Sequence, residues 1–476
     1  MNVELKNNFN KLFKHWANEN SLNITPLPQS GSNRKYYRIS GNSTSAIGVY
    51  NKDKKENLAF IKFAKHFYSK DLPVPQVLEE DLKKNVYLIQ DLGDKTLFDL
   101  LSEEGFDESV EDYYKKALSF LPKFQITAGK NLDYSVCYPR DKFDQQSILW
   151  DLNYFKYYFL KLADIQFDEQ KLESDFNSFA SYLMKADTGY FMYRDFQSRN
   201  IMIKDDQLYF IDFQGGRKGA LQYDVASLLW SARANIPFDK REVLLEYYLN
   251  EVAELSEIDQ TEFKEFYDGY VLIRILQTLG AYGYRGFYEK KDHFLKSIPF
   301  AIDNLEWLIE NEKINIKADE LLFALAQIIK SDLRSKFTET ESDKLKITIT
   351  SFSYKQGIPY DSSGNGGGFV FDCRALNNPG RYPEYKMLTG KDENVIRFLE
   401  ANSNVEKFLD SVKKLIMNSV KKYQERGFTN LMINFGCTGG QHRSVYCAER
   451  LANYLNLKPE LEVSLIHSEL EKRDDL

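Results

Sequence analysis

The stretch YRDFQSRNIMIKDDQLYFIDFQGG, Tyr193 to Gly216, decides the reading of this chain. It interrupts a long helical, aromatic-rich region with strand-like runs, and reads as a loop followed by a hairpin. Asp195 is followed five residues later by Asn200, and twelve after that by Asp212. Phosphoryl transfer from ATP needs a carboxylate to accept or orient the proton of the attacking hydroxyl. It also needs an amide oxygen and a second carboxylate to hold Mg²⁺ against the phosphates. Taken singly, Asp and Asn are ordinary turn residues. The ordered set, with strands around it, supplies all three groups to one cleft.

This set resembles the aminoglycoside phosphotransferase family, the small-molecule branch of the protein-kinase-like fold. Its loop reads His-x-Asp, then Asn, then a strand and Ile-Asp-Phe; here Tyr193 stands in the His place. The resemblance implies Asp195 as catalytic base and Asn200 and Asp212 as Mg²⁺ ligands. "QYDVASLL", Gln222 to Leu229, matches as well, with Asp224 as a structural anchor.

Upstream, "QSGSNRKYYRI", Gln29 to Ile39, resembles the nucleotide-covering turn. Ser30, Gly31, Ser32 and Asn33 can bring backbone N–H groups to phosphate, and Arg34 adds charge. "LIQDLGDKTL" resembles the hinge, whose backbone near Gln90 and Leu92 would meet adenine. The strand "AIGVYNKDKKEN" lacks the usual phosphate-pairing lysine, and Val49 and Tyr50 stand near its place. This departure fits bacterial sugar kinases similar to the N-acetylmuramate/N-acetylglucosamine anomeric kinases. They share "YYR", the "DLGD" hinge and a late "LGAYGYRG" helix. Asp144 and Asp151, in "FDQQSILWDLNYF", are candidates for sugar hydroxyls, although two acids on a helix also describe its wet face.

"SKFTETESDKLK", Ser335 to Lys346, is polar and aperiodic and reads as a linker. The expected organisation is an α+β protein-kinase-like bilobal domain over 1–334, a linker over 335–346 and a separate α/β domain over 347–476. In that last part "ITITSFSY", "GGFVFDCRAL" and "TNLMINFG" read as strands, and "NVEKFLDSVKKLIMNSVKKYQERG" as an amphipathic helix.

"MINFGCTGGQHRSVYCAERL", Met432 to Leu451, has the Cys-x5-Arg-Ser spacing of a cysteine phosphatase. A strand, a Gly-rich turn and a helix make an anion site from backbone N–H groups and the helix dipole. Three readings fit. Cys437 is a nucleophile, with Asp372 as acid; or the loop holds a phosphorylated ligand while Cys437 packs; or the turn is inert. The neighbourhood resembles the C-terminal domain of the RNase adapter RapZ, in "ITSFSYKQGIP", "VFDCRALNNPGRYPEYKMLTGKDENVIRFLE" and "FGCTGGQHRSVYCAERLANYL". That resemblance implies a sensor of glucosamine 6-phosphate that also binds small RNA. Its implied ligand contacts are Thr438, Gly439, Gly440, His442 and Arg443, with Asp372 and Arg374. Gly380 replaces the family's His after "NNP", and Gln441 replaces the loop Lys. No Walker-type phosphate loop occurs.

Bulk properties set bounds. The 476 residues exceed one core, and 43% hydrophobic with 28% charged residues describes a globular protein. The net charge of −7 disfavours bulk nucleic-acid binding. Residues 346–476, however, carry 18 Lys+Arg against 16 Asp+Glu, a net of +2 that leaves −9 on the rest. Lys413, Lys414, Lys421, Lys422 and Arg426 form either a solvated helix face or an RNA-binding stripe. Cys137, Cys373, Cys437 and Cys447 have neither zinc nor disulfide spacing. With no run of 18 apolar residues and no cleavable leader, a cytoplasmic enzyme is expected, without membrane contact. Its expected cofactors are ATP and Mg²⁺, its substrate an amino sugar and its effector a phosphosugar.

Overall fold

The computed structural model describes residues 1–470 except 2, 28–33, 312, 314–315, 339–343, 360, 362–366 and 427. The chain divides into two compact units. One comprises Met1–Tyr284 with Ser297–Phe337, the other Arg285–Lys296 with Thr338–Leu476. The short segment Arg285–Lys296 thus groups with the C-terminal unit, although it precedes the linker in sequence.

The first unit is bilobal. Its amino-terminal lobe is an antiparallel sheet of β1 (Asn23–Pro26), β2 (Lys35–Ser40), β3 (Ser45–Tyr50), β4 (Val77–Asp81) and β5 (Val86–Gln90), in the order β1-β2-β3-β5-β4. Helix α1 (Val3–Ala17) repeats apolar residues every four positions. It buries Leu5, Phe9 and Phe13 against Tyr37, Ile39, Val86 and Leu88. Helix α2 (Lys54–Tyr68) starts at Asp53, whose carboxylate accepts from the N–H groups of Lys55 and Glu56. Its aromatic face reaches the site: Phe60 stacks on Tyr87 at 5.3 Å and on Phe213 at 5.1 Å.

The second lobe is helical, and two small sheets carry its chemistry. β6 (Tyr190–Met192) pairs with β9 (Arg217–Gly219); β7 (Ile201–Lys204) pairs with β8 (Gln207–Phe210). The β7–β8 turn is Asp205–Asp206, with φ of 50° and 59°, the mirror-image turn that matches strand twist. This hairpin is bonded to the lobe connection. Lys204 Nζ donates to the Asp91 carbonyl at 2.8 Å, Ile203 N–H to Lys95 at 2.9 Å and Phe210 N–H to Pro73 at 2.8 Å.

The second unit contains a wholly parallel sheet of β10 (Leu345–Ser353), β11 (Phe369–Asp372), β12 (Asn430–Cys437) and β13 (Leu461–His467), in the order β11-β12-β10-β13. The central strands turn Ile347 and Ile349 of β10 and Ile433 and Phe435 of β12 into the core, and β10 also buries Thr350, Ser351 and Ser353 toward its carboxyl end. Helix Val405–Glu425 buries Leu409, Val412, Ile416 and Val420 in the same core. β13 was not among the expected strands, although "LEVSLIH" alternates Leu461, Val463 and Leu465 toward the core with Glu462 and Ser464 between them. The chain leaves β10 toward β11 and leaves β12 toward β13, on opposite sides. Such a reversal opens a crevice at the carboxyl ends of the two central strands.

Candidate functional site

The loop after β6 is held from beneath by Asp224. Its carboxylate accepts from the N–H of Tyr193 at 2.7 Å, the N–H of Arg194 at 2.9 Å and Gln125 Nε2 at 3.1 Å. Burial pushes the Asp224 carboxyl up to about 7 against the pull of these donors. Tyr193, in the His place, is fully buried, and its phenol donates to the Ile211 carbonyl at 2.7 Å. The loop thereby joins the residue before Asp212. Arg194 takes a φ of 80°, a strained value for a residue that carries a Cβ. The carboxylate of Asp195 is 45% exposed to the cleft, with Arg274 Nη2 at 3.9 Å.

Asn200 Nδ2 donates to the Asp195 carbonyl at 2.8 Å, and the Asn200 backbone carbonyl accepts from the N–H of Ile211 at 3.0 Å. Asp212 is left-handed at φ 68°, and Gln214 Nε2 reaches its Oδ1 at 2.6 Å. Desolvation and then the charge of Asp195 raise the Asp212 carboxyl, although its side chain stays partly open to solvent. Gln214 Oε1 is buried without a hydrogen-bond partner. A cation would relieve both features, and two carboxylates with an amide oxygen are donors that Mg²⁺ takes. Among the described residues no group of three or more His, Cys, Asp or Glu side chains could hold a metal by itself. Any ion here therefore depends on the Asn200 amide as well.

On the nucleotide side, Ser30, Gly31, Ser32 and Asn33 lie outside the described residues. Arg34 is buried. It is bonded to Glu56 of α2 and to Tyr36 Oη at 3.1 Å, with Nη1 4.0 Å from Asp212 Oδ1. Gln90 gives its N–H to the Gln76 carbonyl at 2.9 Å, and Leu92 is buried. The two acids considered for sugar contact have other work. Asp144 caps helix Gln145–Phe155 and pairs with Arg140. Both oxygens of Asp151 accept from Arg194 Nη2 at 2.8 Å, which steadies the loop beside Asp195.

In the second unit the expected ligand residues gather at the carboxyl edge of the parallel sheet. Asp372 ends β11 opposite Gly436; Ser353 ends β10 opposite Cys437. Asp372 and Arg374 pair at 2.6 Å, and Arg374 lies 4.1 Å over the ring of Tyr354. Thr438 and Gly439 are exposed, and nothing stands within 4 Å of where a Gly439 Cβ would be. Gly440 has φ +65°, and a Cβ there would meet the Ser353 nitrogen at 2.9 Å. His442 is buried, with Nε2 2.8 Å from the Tyr385 carbonyl. Arg443 departs from the expected bidentate phosphate ligand. It is 5% exposed and turns inward, Nη1 donating to the carbonyls of Arg374 and Leu376 at 3.0 Å each. Its Nε is buried without a partner. Cys437 Sγ lies 3.1 Å from Ser444 Oγ. Burial pushes its thiol up, but Ser444, the backbone N–H groups and Arg443 bring it below its ordinary value.

Two lobes around an Asp–Asn–Asp loop and hairpin define a phosphotransferase fold, joined to a parallel α/β domain. Residues 23–259 match the model of the phosphotransferase enzyme family, and residues 345–471 match that of the RapZ C-terminal domain. The chain thus carries a domain of the phosphotransferase enzyme family followed by a RapZ C-terminal domain. A nucleotide-binding protein of Xylella fastidiosa (strain M12) is 39% identical over 137 residues, 29% of this chain and 46% of that protein. One of Bacillus cytotoxicus is 41% identical over 136 residues, 29% and 44% of the two chains. The chain spans about half the length of the curated relatives it matches. Similar solved structures include the amicoumacin kinase hAmiN in complex with AMP-PNP, Ca²⁺ and Ami. It shows 11% identity and a TM-score of 0.43, over 72% of this chain and 98% of that one. Choline kinase from Cryptosporidium parvum Iowa II shows 10% identity and a TM-score of 0.44, over 61% and 90%. No helix among the described residues is long and apolar enough to cross a membrane.

Proposed function

We propose that the first domain moves the terminal phosphoryl group of ATP, with Mg²⁺, to a hydroxyl of an amino sugar, and that the second domain binds a phosphosugar. The observation that carries the first part is the union of Asp195, Asn200 and Asp212 on one anchored loop and hairpin. When bound, Mg²⁺ neutralises charge on the phosphates. Asn200 and Asp212 would hold it. Asp195 takes the proton of the acceptor hydroxyl, and Asp224 and Tyr193 keep the loop in place. Backbone groups near Gln90 and Leu92 face the base, and Ser30, Gly31, Ser32 and Asn33, outside the described residues, are assigned to the phosphates. Domain limits of 1–334 and 347–476, joined by 335–346, and a cytoplasmic setting complete this reading.

For the second part, exposed Thr438 and Gly439, the bend at Gly440 and the start of helix Arg443–Asn456 form the anion loop. His442 shapes it from one side, and Asp372 and Arg374 border it. Arg443 supplies positive charge from within and ties down the strand end at Leu376. The phosphosugar regulates the kinase. A screen of amino sugars with ATP, with the product phosphate located by NMR, tests the first part. Titration of glucosamine 6-phosphate into that assay tests the second. No phosphorylated product, or no response to the phosphosugar, would remove the corresponding part.

A second reading is an adapter that binds RNA and nucleotide without phosphorylating a sugar. It draws on the RapZ-type domain and on the basic residues of helix Val405–Glu425. Two of these are already paired, Lys413 with Asp410 at 3.8 Å and Lys422 with Glu425 at 2.5 Å. RNA binding that weakens with salt, in a chain that phosphorylates no sugar, would favour it. Phosphate release that stops with Cys437→Ser would instead mark a cysteine phosphatase.

A further inference from the structure

Protein kinases fix the ATP phosphates with a lysine on the third strand, held by a glutamate on the following helix. This chain keeps the glutamate and lacks the lysine. Glu56 lies in the first turn of α2, and both its oxygens are engaged. Oε2 accepts from Asn51 Nδ2 at 2.6 Å, and Oε1 accepts from Arg34 Nη2. β3 offers Val49 and Tyr50 where the lysine would stand.

Sheet register explains why Arg34 reaches that place. Tyr36 on β2 is the partner of Val49 on β3, and Val49 is the partner of Tyr87 on β5. Residues two apart share a sheet face, so Arg34 follows Tyr36 on the face that bears Val49 and Tyr87. The Arg34 Nη1–Tyr36 Oη bond of 3.1 Å holds the guanidinium along this row. From there one end meets Glu56. The other comes to 4.0 Å from Asp212 Oδ1, too long for a hydrogen bond. The side chain is 3% exposed, and the Asp212 carboxylate it faces is 42% exposed. A buried cation thus bridges the α2 glutamate and the candidate metal ligand.

We infer that Arg34 replaces the strand lysine as the cation that fixes the nucleotide phosphates, with Glu56 and Tyr36 setting its position. The inference rests on the kinase reading above. A guanidinium has a rigid fork, so this site differs from a lysine site in geometry as well as in strand of origin.

The test is calorimetric binding of AMP-PNP with Mg²⁺, alongside kcat and KM for ATP and for the acceptor, in the full chain. Arg34→Ala should weaken AMP-PNP binding by about tenfold or more and lower kcat by roughly 10²-fold, as loss of a phosphate clamp does. Adding Val49→Lys to Arg34→Ala should restore part of both, since it places an amine in the same row beside Glu56. Glu56→Gln should raise KM for ATP and leave KM for the acceptor unchanged. If Arg34→Ala does not fold, as judged by thermal unfolding, Arg34→Lys and Glu56→Gln decide. Wild-type AMP-PNP affinity in those two variants, or in folded Arg34→Ala, would overturn the inference. So would a folded Arg34→Ala/Val49→Lys chain with no recovery. Failure of the wild-type chain to bind AMP-PNP would instead count against the kinase reading itself.

Discussion

The phenol of Tyr193 donates to the carbonyl of Ile211 at 2.7 Å, so the loop that presents Asp195 is bonded to the residue before Asp212. Asp195 and Asp212 thus share one fixed link. Tyr193→Phe removes the donor and leaves a buried carbonyl with one bond fewer. The expected cost is about 1–2 kcal/mol of stability, read by urea unfolding, with a several-fold fall in kcat in the sugar kinase assay.

The roles of Asp195 and Asp212 separate by readout. Asp195→Ala should lower kcat by roughly 10³-fold while AMP-PNP affinity stays near wild type, because it removes the base and not the nucleotide site. Asp212→Asn should lose the Mg²⁺ dependence of AMP-PNP binding. Calorimetry with and without EDTA distinguishes the two variants.

Asp224 makes stability depend on pH. Its folded value of about 7 lies above the ordinary unfolded value of about 3.9. Between those values the unfolded chain has released a proton that the folded chain retains. The contribution of this group is full below about pH 4 and is lost as pH rises toward 7. Urea midpoints of the wild type should carry this decline. Asp224→Asn removes it, and at pH 8 costs about 1–3 kcal/mol because its NH₂ faces N–H donors.

Gly439 and Gly440 should respond differently to alanine. Gly440→Ala forces a side chain onto a φ of +65° and against the Ser353 nitrogen. The expected loss is about 1–3 kcal/mol, seen as a lower melting temperature. Gly439→Ala enters open space, so the melting temperature holds while glucosamine 6-phosphate binding weakens. Differential scanning fluorimetry and ligand titration measure the pair.

Much of the site was legible because it is local. Asp195, Asn200 and Asp212 lie within one loop and hairpin, and the strand, Gly-rich turn and helix around Cys437 are contiguous. The face of α1 is local in the same way, since Leu5, Phe9 and Phe13 recur every four residues and are buried as spaced. What stayed hidden depends on distant pairing. Arg34 meets Glu56 only through sheet register. Asp151 pairs with Arg194, 43 residues on, so its place on a helix could not tell a sugar contact from an ion pair. Arg443 follows a phosphatase-like spacing, yet the carbonyls that turn it inward come from the end of β11. Asp144 carried a legible signal, since an acid just before a helical run is a cap.

The bonds from Lys204, Ile203 and Phe210 to Asp91, Lys95 and Pro73 have a mechanical meaning. The hairpin that bears Asn200 at its entrance and Asp212 at its exit is stitched to the passage out of the strand lobe. A force on the passage is therefore carried directly to the hairpin, and through it to the positions of Asn200 and Asp212.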